Sequence, residues 1–114
     1  LVLMSSESGF EVLPAIQANQ RISLVMVAPQ SFRTLHLKGR DATVAPAGQE
    51  HGELMDQRQA AFQCQLEPYG YSTAYVPACY SVPTGQLVAI RFTPEGAWNQ
   101  TPGPGAGHAV ALKA

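Results

Sequence analysis

The chain has 114 residues, of which 46% are hydrophobic, and this is enough apolar material for one small core. Seven basic residues against eight acidic ones give a formal net charge of -1, so no overall field attracts nucleic acid or an anionic membrane surface. No apolar run approaches the roughly 20 residues that a membrane-spanning helix needs. The sequence therefore predicts one globular domain, with neither nucleic acid nor a membrane among its partners.

The first half of the chain predicts a strand, a short helix and a hairpin. Leu1–Met4 is a short apolar run, and Ser5 and the residues after it suit the capped start of a helix. Ile22–Val27 is almost entirely apolar, which favours a strand buried on both faces. Phe32–Val44 predicts a second strand that forms a hairpin with the first, and Gly39 marks a bulge or a bend within it.

The second half predicts one helix, an irregular segment and one strand. Glu50–Gln65 has the composition of a helix. One stripe of this helix is marked by Leu54, Arg58, Ala61 and Gln65. Tyr69–Pro83 carries four tyrosines and is predicted to be irregular or partly helical, whereas Gln86–Phe92 predicts a strand. The Pro- and Gly-rich residues 101–114 predict a flexible C-terminal tail.

This order of elements predicts the fold class and the domain organisation. The sequence β, α, β, β, α, irregular, β is typical of a small barrel or an α+β domain. We expect a single domain over residues 1–114 that is mainly β with short helices. Two cysteines outside any Cys-x-x-Cys spacing, Cys64 and Cys79, are expected to be free buried thiols rather than a disulfide. Free thiols favour a cytoplasmic location, and no signal peptide is predicted at Leu1–Met4.

Three segments resemble a known family when they are taken in order. They are LVLMSSESGFEVLPAIQANQRISLVM, SFRTLHLKGRDATV and LVAIRFTPEGAWNQTPGP. They are similar to the first strand, turn, short helix and next strand, then to the long following strand, and then to the closing strand of the pyridoxamine 5′-phosphate oxidase-like proteins. The resemblance implies an FMN-binding split β-barrel. Two strands that precede this region in the family are absent, so the barrel is either incomplete or completed in a dimer.

The same resemblance implies a function and a set of binding residues. The family is homodimeric and binds FMN at the subunit interface, so the chain is expected to be an oxidoreductase-like flavoprotein that transfers electrons to a small organic acceptor. Ser5 and Ser6 match the turn that offers hydroxyl or backbone donors to the phosphate or the ribityl chain of FMN. Thr34 matches a polar position on the strand that approaches the flavin, and period-2 spacing places His36 and Lys38 on the same face, so Lys38 is also expected to contact the cofactor.

Departures from the family pattern keep a second function open. Glu11 and Val12 stand where full oxidases have an Arg-Lys pair, and neither side chain neutralises a phosphate. The alternative is a non-catalytic split-barrel homodimer that binds haem or another planar ligand, or no cofactor. Whether the chain is an enzyme is left open.

Several residues have a structural interpretation beside the functional one. Ser5 and Ser6 suit a simple helix cap as well as a ligand contact. Lys38 and Arg40 fit either a phosphate contact or the protection of a strand edge. The tyrosines between residues 69 and 80 fit either an aromatic pocket or packing. The histidines are too widely spaced to predict a metal site; they are His36, His51 and His108.

Overall fold

Two antiparallel sheets and three α helices organise the computed structural model, which describes residues 1–113 and, at residue 84, the backbone alone. Helix takes up as much of the chain as strand does, so the architecture is mixed α and β rather than mainly β. Neither sheet closes on itself into a barrel within these residues. By internal contacts the chain divides into a first unit, Leu1–Phe10 with Val44–Ile90, and a second unit, Glu11–Thr43 with Arg91–Ala114.

The first unit is built on a three-stranded sheet in the order β1-β5-β4. Its strands are β1 (Val2–Ser5), β4 (Thr43–Pro46) and β5 (Leu87–Arg91). Its helices are α2 (Gln49–Leu66) and α3 (Tyr75–Tyr80), with short 3-10 turns at Glu67–Tyr69 and Thr84–Gln86. β5 is paired on both edges, and its apolar side chains supply the buried core residues Leu87, Ala89 and Ile90.

Helix α2 confirms the predicted helix within one residue at each end, but its buried side differs from the predicted stripe. Arg58, Ala61 and Gln65 are exposed, whereas the buried residues are His51, Gln63 and Leu66. The sequence pattern predicts the extent of this helix and marks a stripe on it, but it does not show which side of the helix is covered. Gln63 is buried since its amide satisfies the backbone of the segment that packs on the helix: it donates to the Ser72 carbonyl at 2.7 Å and accepts from the Val76 N–H at 3.0 Å.

The second unit contains a four-stranded sheet in the order β2-β3-β6-β7. Its strands are β2 (Ile22–Val27), β3 (Thr34–Gly39), β6 (Gly96–Asn99) and β7 (Ala109–Val110). Helix α1 (Val12–Asn19) precedes β2 and buries Leu13 and Ile16. It ends at Gln20, whose φ of 59° is left-handed and whose N–H donates to the Ile16 carbonyl at 2.7 Å.

The bounds of β2 and the hairpin with β3 are as predicted, but β2 is not buried on both faces. It forms one edge of the sheet, and Val25, Met26 and Val27 are all exposed. An apolar run is the pattern of a buried strand, but the sequence alone does not show which strands lie beside it or over it. The exposed edge is therefore a finding of the tertiary structure.

The predicted long strand Phe32–Val44 is two strands that belong to different sheets. β3 ends at Gly39 and β4 begins at Thr43. A Cβ atom at Gly39 would lie 2.6 Å from the ring of Phe92 and 2.9 Å from the Thr93 carbonyl oxygen. Glycine is needed here because another part of the backbone passes close by, as the prediction of a bend at this position anticipated.

Residues 101–114 contain a short strand as well as turns. The turn between β6 and β7 uses two glycines with left-handed φ, 136° at Gly103 and 87° at Gly107. Strand β7 then pairs with β6, with Trp98 opposite Ala109. The flexibility predicted for this segment stays a prediction, and its last residue, Ala114, lies outside the described residues.

Candidate functional site

A cavity of about 540 Å³ lies against the sheet of the second unit. Its walls come from the start of β2, the end of β3 and the start of β6. They are formed by Arg21, Ile22, Ser23, Lys38, Gly39, Arg40, Glu95, Gly96 and Trp98.

Strand register brings the main walls of this cavity onto one face of the sheet. Ser23 lies opposite Lys38, and Lys38 lies opposite Gly96 on its other side. Trp98 follows Gly96 by two residues and is opposite His36, so period-2 alternation gives it the same face. The face predicted for Thr34, His36 and Lys38 is therefore the face on which the cavity lies.

Trp98 forms the aromatic wall of the cavity, and its indole lies over Gly96. A Cβ atom at Gly96 would be 2.5 Å from Cη2 of the indole, so the ring needs glycine below it. The Lys38 Nζ atom is 5.1 Å from the ring centroid, within the range of a cation–π interaction. The imidazole of His36 is tilted against the Trp98 indole, with 5.8 Å between ring centroids, and shares a 2.6 Å hydrogen bond with the Ser23 hydroxyl.

The charge around the cavity is positive although the chain as a whole is nearly neutral. Three of the seven basic residues in the chain line it, against one carboxylate, Glu95. The Arg40 Nε atom and the Glu95 carboxylate are 3.3 Å apart, and both side chains are largely exposed, so this pair contributes little to stability. Arg21 and Lys38 form no ion pair with an acidic side chain among the described residues. A small concave site of this charge suits an anionic group beside an aromatic ring.

Two hydrogen bonds from backbone N–H groups hold the loop that carries Glu95 against the end of β3 and the residue Asp41 that follows it. The Glu95 N–H donates to the Lys38 carbonyl at 2.9 Å, and the Thr93 N–H donates to the Asp41 carboxylate at 2.7 Å. The hydrogen bonds from the Thr93 backbone and side chain hold the pKa of Asp41 below its ordinary value, because they stabilise the charged form. Asp41 thus supports the cavity rim without lining it.

Replacing Asp41 by asparagine should make the free energy of unfolding depend less on pH in the acidic range. The lowered pKa contributes stability that is present above the ordinary aspartate pKa of about 3.9 and is lost as the pH falls below it. We expect the free energy of unfolding of the native chain to decrease over this range, and that of Asp41→Asn to decrease less. Urea denaturation at a series of pH values measures both. Asp56→Asn is the control at an exposed carboxylate, and it should keep the pH dependence of the native chain. Equal pH dependence of the free energy of unfolding in the native chain and in Asp41→Asn would contradict the prediction.

The predicted residues of the second unit lie at opposite ends of β3. Lys38 lines the cavity. Thr34 lies at the other end of the strand, where its hydroxyl donates to the Phe32 carbonyl at 2.8 Å and its N–H donates to the Thr101 hydroxyl at 3.0 Å. Thr34 therefore fixes the turn before β3, and its role toward a ligand stays a prediction.

The predicted residues of the first unit, Ser5 and Ser6, form a turn after β1. The Ser5 hydroxyl accepts the N–H groups of Glu7 and Ser8 and so closes a local turn, but it does not cap a helix, because helix α1 begins only at Val12 with Glu11 at its N-cap. The Ser6 N–H donates to the Gln86 carbonyl at 2.7 Å. Ser5 also lines a separate cavity of about 580 Å³ within the first unit, together with Arg58, Phe62 and Tyr80 among others.

The tyrosine-rich segment mostly packs against its neighbours in the first unit. Tyr71 and Tyr75 have ring centroids 4.6 Å apart, and Tyr80 packs edge-on against Phe62 at 5.6 Å. Electrostatic repulsion from Cys79, burial and the neighbouring tyrosines raise the pKa of Tyr75. Cys79 and Cys64 are free thiols, as predicted, but they are exposed rather than buried because helices α2 and α3 turn them toward solvent.

Sequence reasoning did not single out Arg21 or Trp98 and treated Arg40 as ambiguous. Arg21 stands outside the period of β2, and Trp98 is an isolated aromatic residue in its segment of the sequence. The usable signal was the spacing of Gly96 and Trp98 by two residues, which places a small residue and a large ring on one strand face. Their proximity to Lys38 depends on the β3–β6 pairing.

Comparisons of the chain with protein-family models, with curated proteins and with solved structures find no match. Among residues 1–113, no helix is long and apolar enough to cross a membrane. The same residues contain no group of three or more His, Cys, Asp or Glu arranged to hold a metal ion.

Proposed function

We propose that the chain binds a planar aromatic ligand that carries a phosphate, in the cavity beside Trp98, and that FMN is this ligand. The observation that carries the proposal is the concentration of three cations against one carboxylate around a cavity with an indole wall. FMN combines a dianionic phosphate with an extended aromatic ring, and these are the two chemistries that the cavity walls complement.

The residues of the cavity divide naturally between the two parts of such a ligand. Lys38 and Arg21 are the cations that would hold the phosphate, since Arg40 already has Glu95 as a partner. Trp98 would contact the ring system, with Lys38 above the indole and the hydroxyl of Ser23 at the rim. When bound, FMN supplies redox chemistry through its isoalloxazine ring, and the chain supplies binding and orientation.

The biological setting that we propose follows the family resemblance. It comprises a split-barrel arrangement, a homodimer, a cytoplasmic location and transfer of electrons to a small organic acceptor. The three matching segments LVLMSSESGFEVLPAIQANQRISLVM, SFRTLHLKGRDATV and LVAIRFTPEGAWNQTPGP support it, as does the position of Lys38 in the cavity.

A non-catalytic role is the second candidate, and one observation favours it. Helix α1 begins at Val12 after Glu11 and contains no basic residue, so this helix offers no cation to a phosphate. A relative that binds haem or another planar ligand, or no cofactor, would have the same helix.

Fluorescence of Trp98 tests the proposal directly because it is the only tryptophan in the chain. We expect FMN to quench this fluorescence with saturation, and riboflavin, which lacks the phosphate, to bind about tenfold more weakly or worse. Lys38→Gln should weaken FMN binding by about tenfold, and Glu95→Gln should strengthen it because a carboxylate leaves the site. Equilibrium dialysis provides a second measurement of the same affinities.

Arg33→Gln is the matched control, since Arg33 is an exposed cation of the second unit that does not line the cavity. It should leave FMN affinity unchanged. Absence of saturable FMN binding, or equal affinity for FMN and riboflavin, would contradict the proposal. Saturable binding of haemin in place of FMN would favour the second candidate.

A further inference from the structure

Strand β2 presents a free backbone edge along its whole length. It is the first strand of the sheet, and within residues 1–113 only β3 pairs with it. The Ala28 N–H donates to the Arg33 carbonyl at 2.9 Å, so Ala28 and the even-numbered residues before it direct their backbone groups toward β3. The N–H and C=O groups of Ser23, Val25 and Val27 therefore point away from the sheet.

Apart from Ser23 the side chains along this edge are apolar, and three of them are exposed, on both faces of the sheet. Val25 and Val27, on the cavity face, are each 55% exposed, and Met26 on the opposite face is 43% exposed. No residue from Ile22 to Val27 is charged, and none is proline. Natural edge strands usually carry a charge, a proline or a bulge that prevents pairing, and β2 has none of these. The other edge of the sheet, β7, is only two residues long.

We infer that β2 is an interface between two copies of this chain, which pair antiparallel along β2 and join their sheets into one. The occupant is a second copy because the edge complements itself. A two-fold axis at Val25 sets Val25 opposite Val25 of the second copy and Ser23 opposite Val27 of the second copy. Residues opposite each other then all have outward backbone groups, so each pair forms the two hydrogen bonds of a regular antiparallel ladder.

This pairing covers apolar surface on both faces of the joined sheet. On the cavity face it brings Val25 of each copy together, and on the other face it sets Leu24 opposite Met26 of the second copy. It also places Val27 of the second copy beside Ser23, which lines the cavity. The second copy thus contributes an apolar residue to the cavity rim.

The inference rests on the homodimer in the proposed function and is independent of its ligand. Sedimentation equilibrium of the unliganded chain over a wide concentration range therefore tests it separately from FMN binding. We expect a reversible monomer–dimer equilibrium. Val25→Lys should raise the dimer dissociation constant at least about tenfold, because the two lysines face each other across the axis. Val25→Glu should have the same effect.

Mixing the two variants makes the experiment decisive. Equal amounts of Val25→Lys and Val25→Glu should form a heterodimer, since the substituted positions now carry opposite charges, and this rescue also shows that both variants are folded. Val12→Lys is the control, because Val12 is a similarly exposed valine of the same unit that lies on helix α1. It should leave the dimer unchanged.

Each outcome decides the inference. Dimers that weaken in both single variants and return in the mixture support it. A native chain that is monomeric at all concentrations overturns it, as does a dimer that persists in Val25→Lys or fails to return in the mixture. A dimer with these properties that does not bind FMN would refute the proposed ligand and leave the interface standing.

Discussion

Replacing Gln63 by leucine is expected to lower the free energy of unfolding by about 2–4 kcal/mol. The amide of Gln63 makes two hydrogen bonds to the backbone of the segment packed on α2, one to the Ser72 carbonyl and one from the Val76 N–H. Val76 is fully buried, so its N–H cannot turn to water when the amide is removed. An unsatisfied buried donor costs about 1–3 kcal/mol, and the lost bond to Ser72 adds to this.

One companion variant distinguishes the two bonds of Gln63, and a second variant serves as the control. Gln63→Glu keeps an oxygen that accepts the Val76 N–H, but its ionised carboxylate sets a second acceptor oxygen against the Ser72 carbonyl. The protonated carboxyl group can donate to that carbonyl, so this variant should destabilise the chain less at acidic pH than at neutral pH. Gln59→Leu is the control one turn earlier on α2, because its partner is the carbonyl of the exposed Tyr80, which water can satisfy. Urea denaturation measures all three. If Gln63→Leu lowers the free energy of unfolding no more than Gln59→Leu does, the buried amide does not stabilise the packing of this segment on α2.

Replacing Gly96 by alanine is expected to displace the indole of Trp98 and to weaken FMN binding by about tenfold. The added methyl group would lie 2.5 Å from Cη2 of the indole, which is much closer than two carbon atoms can approach. The indole is the far end of a side chain, so the ring moves rather than the strand. We expect a shift in the Trp98 emission maximum and a stability loss of about 1–3 kcal/mol from overpacking.

Gly52→Ala is the matched control for this variant. Gly52 lies in helix α2 of the first unit, and a Cβ atom there meets nothing within 4 Å. Alanine should stabilise the helix by about 0.5–1 kcal/mol and leave both the emission of Trp98 and FMN affinity unchanged. An unaltered emission maximum in Gly96→Ala would show that Trp98 does not lie over Gly96. Displacement of the ring with unchanged FMN affinity would show that the indole is not part of the binding site.

The local sequence pattern predicted those helices and strands that are encoded within a few neighbouring residues. The bounds of β2, the hairpin with β3 and the extent of α2 follow from apolar runs and helix-forming composition. Period-2 spacing also correctly placed His36 and Lys38 on one face of β3, because alternation is a property of the strand itself.

The same patterns misjudged environments that depend on distant partners. The apolar run of β2 predicted burial, but β2 is a sheet edge with Val25 exposed. The stripe marked on α2 did not include Gln63, whose amide is buried because it forms hydrogen bonds with two backbone groups. The continuous pattern of Phe32–Val44 predicted one strand, although the close approach of Phe92 to Gly39 marks where β3 ends.

The candidate site shows the same division between sequence and structure. The sequence by itself determined that Lys38 lies on a polar strand face and that an aromatic residue follows a glycine by two positions near the C-terminus, because both facts are encoded in neighbouring residues. Only the tertiary structure decided that Arg21, Lys38 and Trp98 share one cavity. Arg21 and Lys38 belong to the β2–β3 hairpin, whereas Trp98 lies on β6, about 60 residues further along the chain. The pairing of β3 with β6 that joins them depends on the whole sheet and not on any local segment.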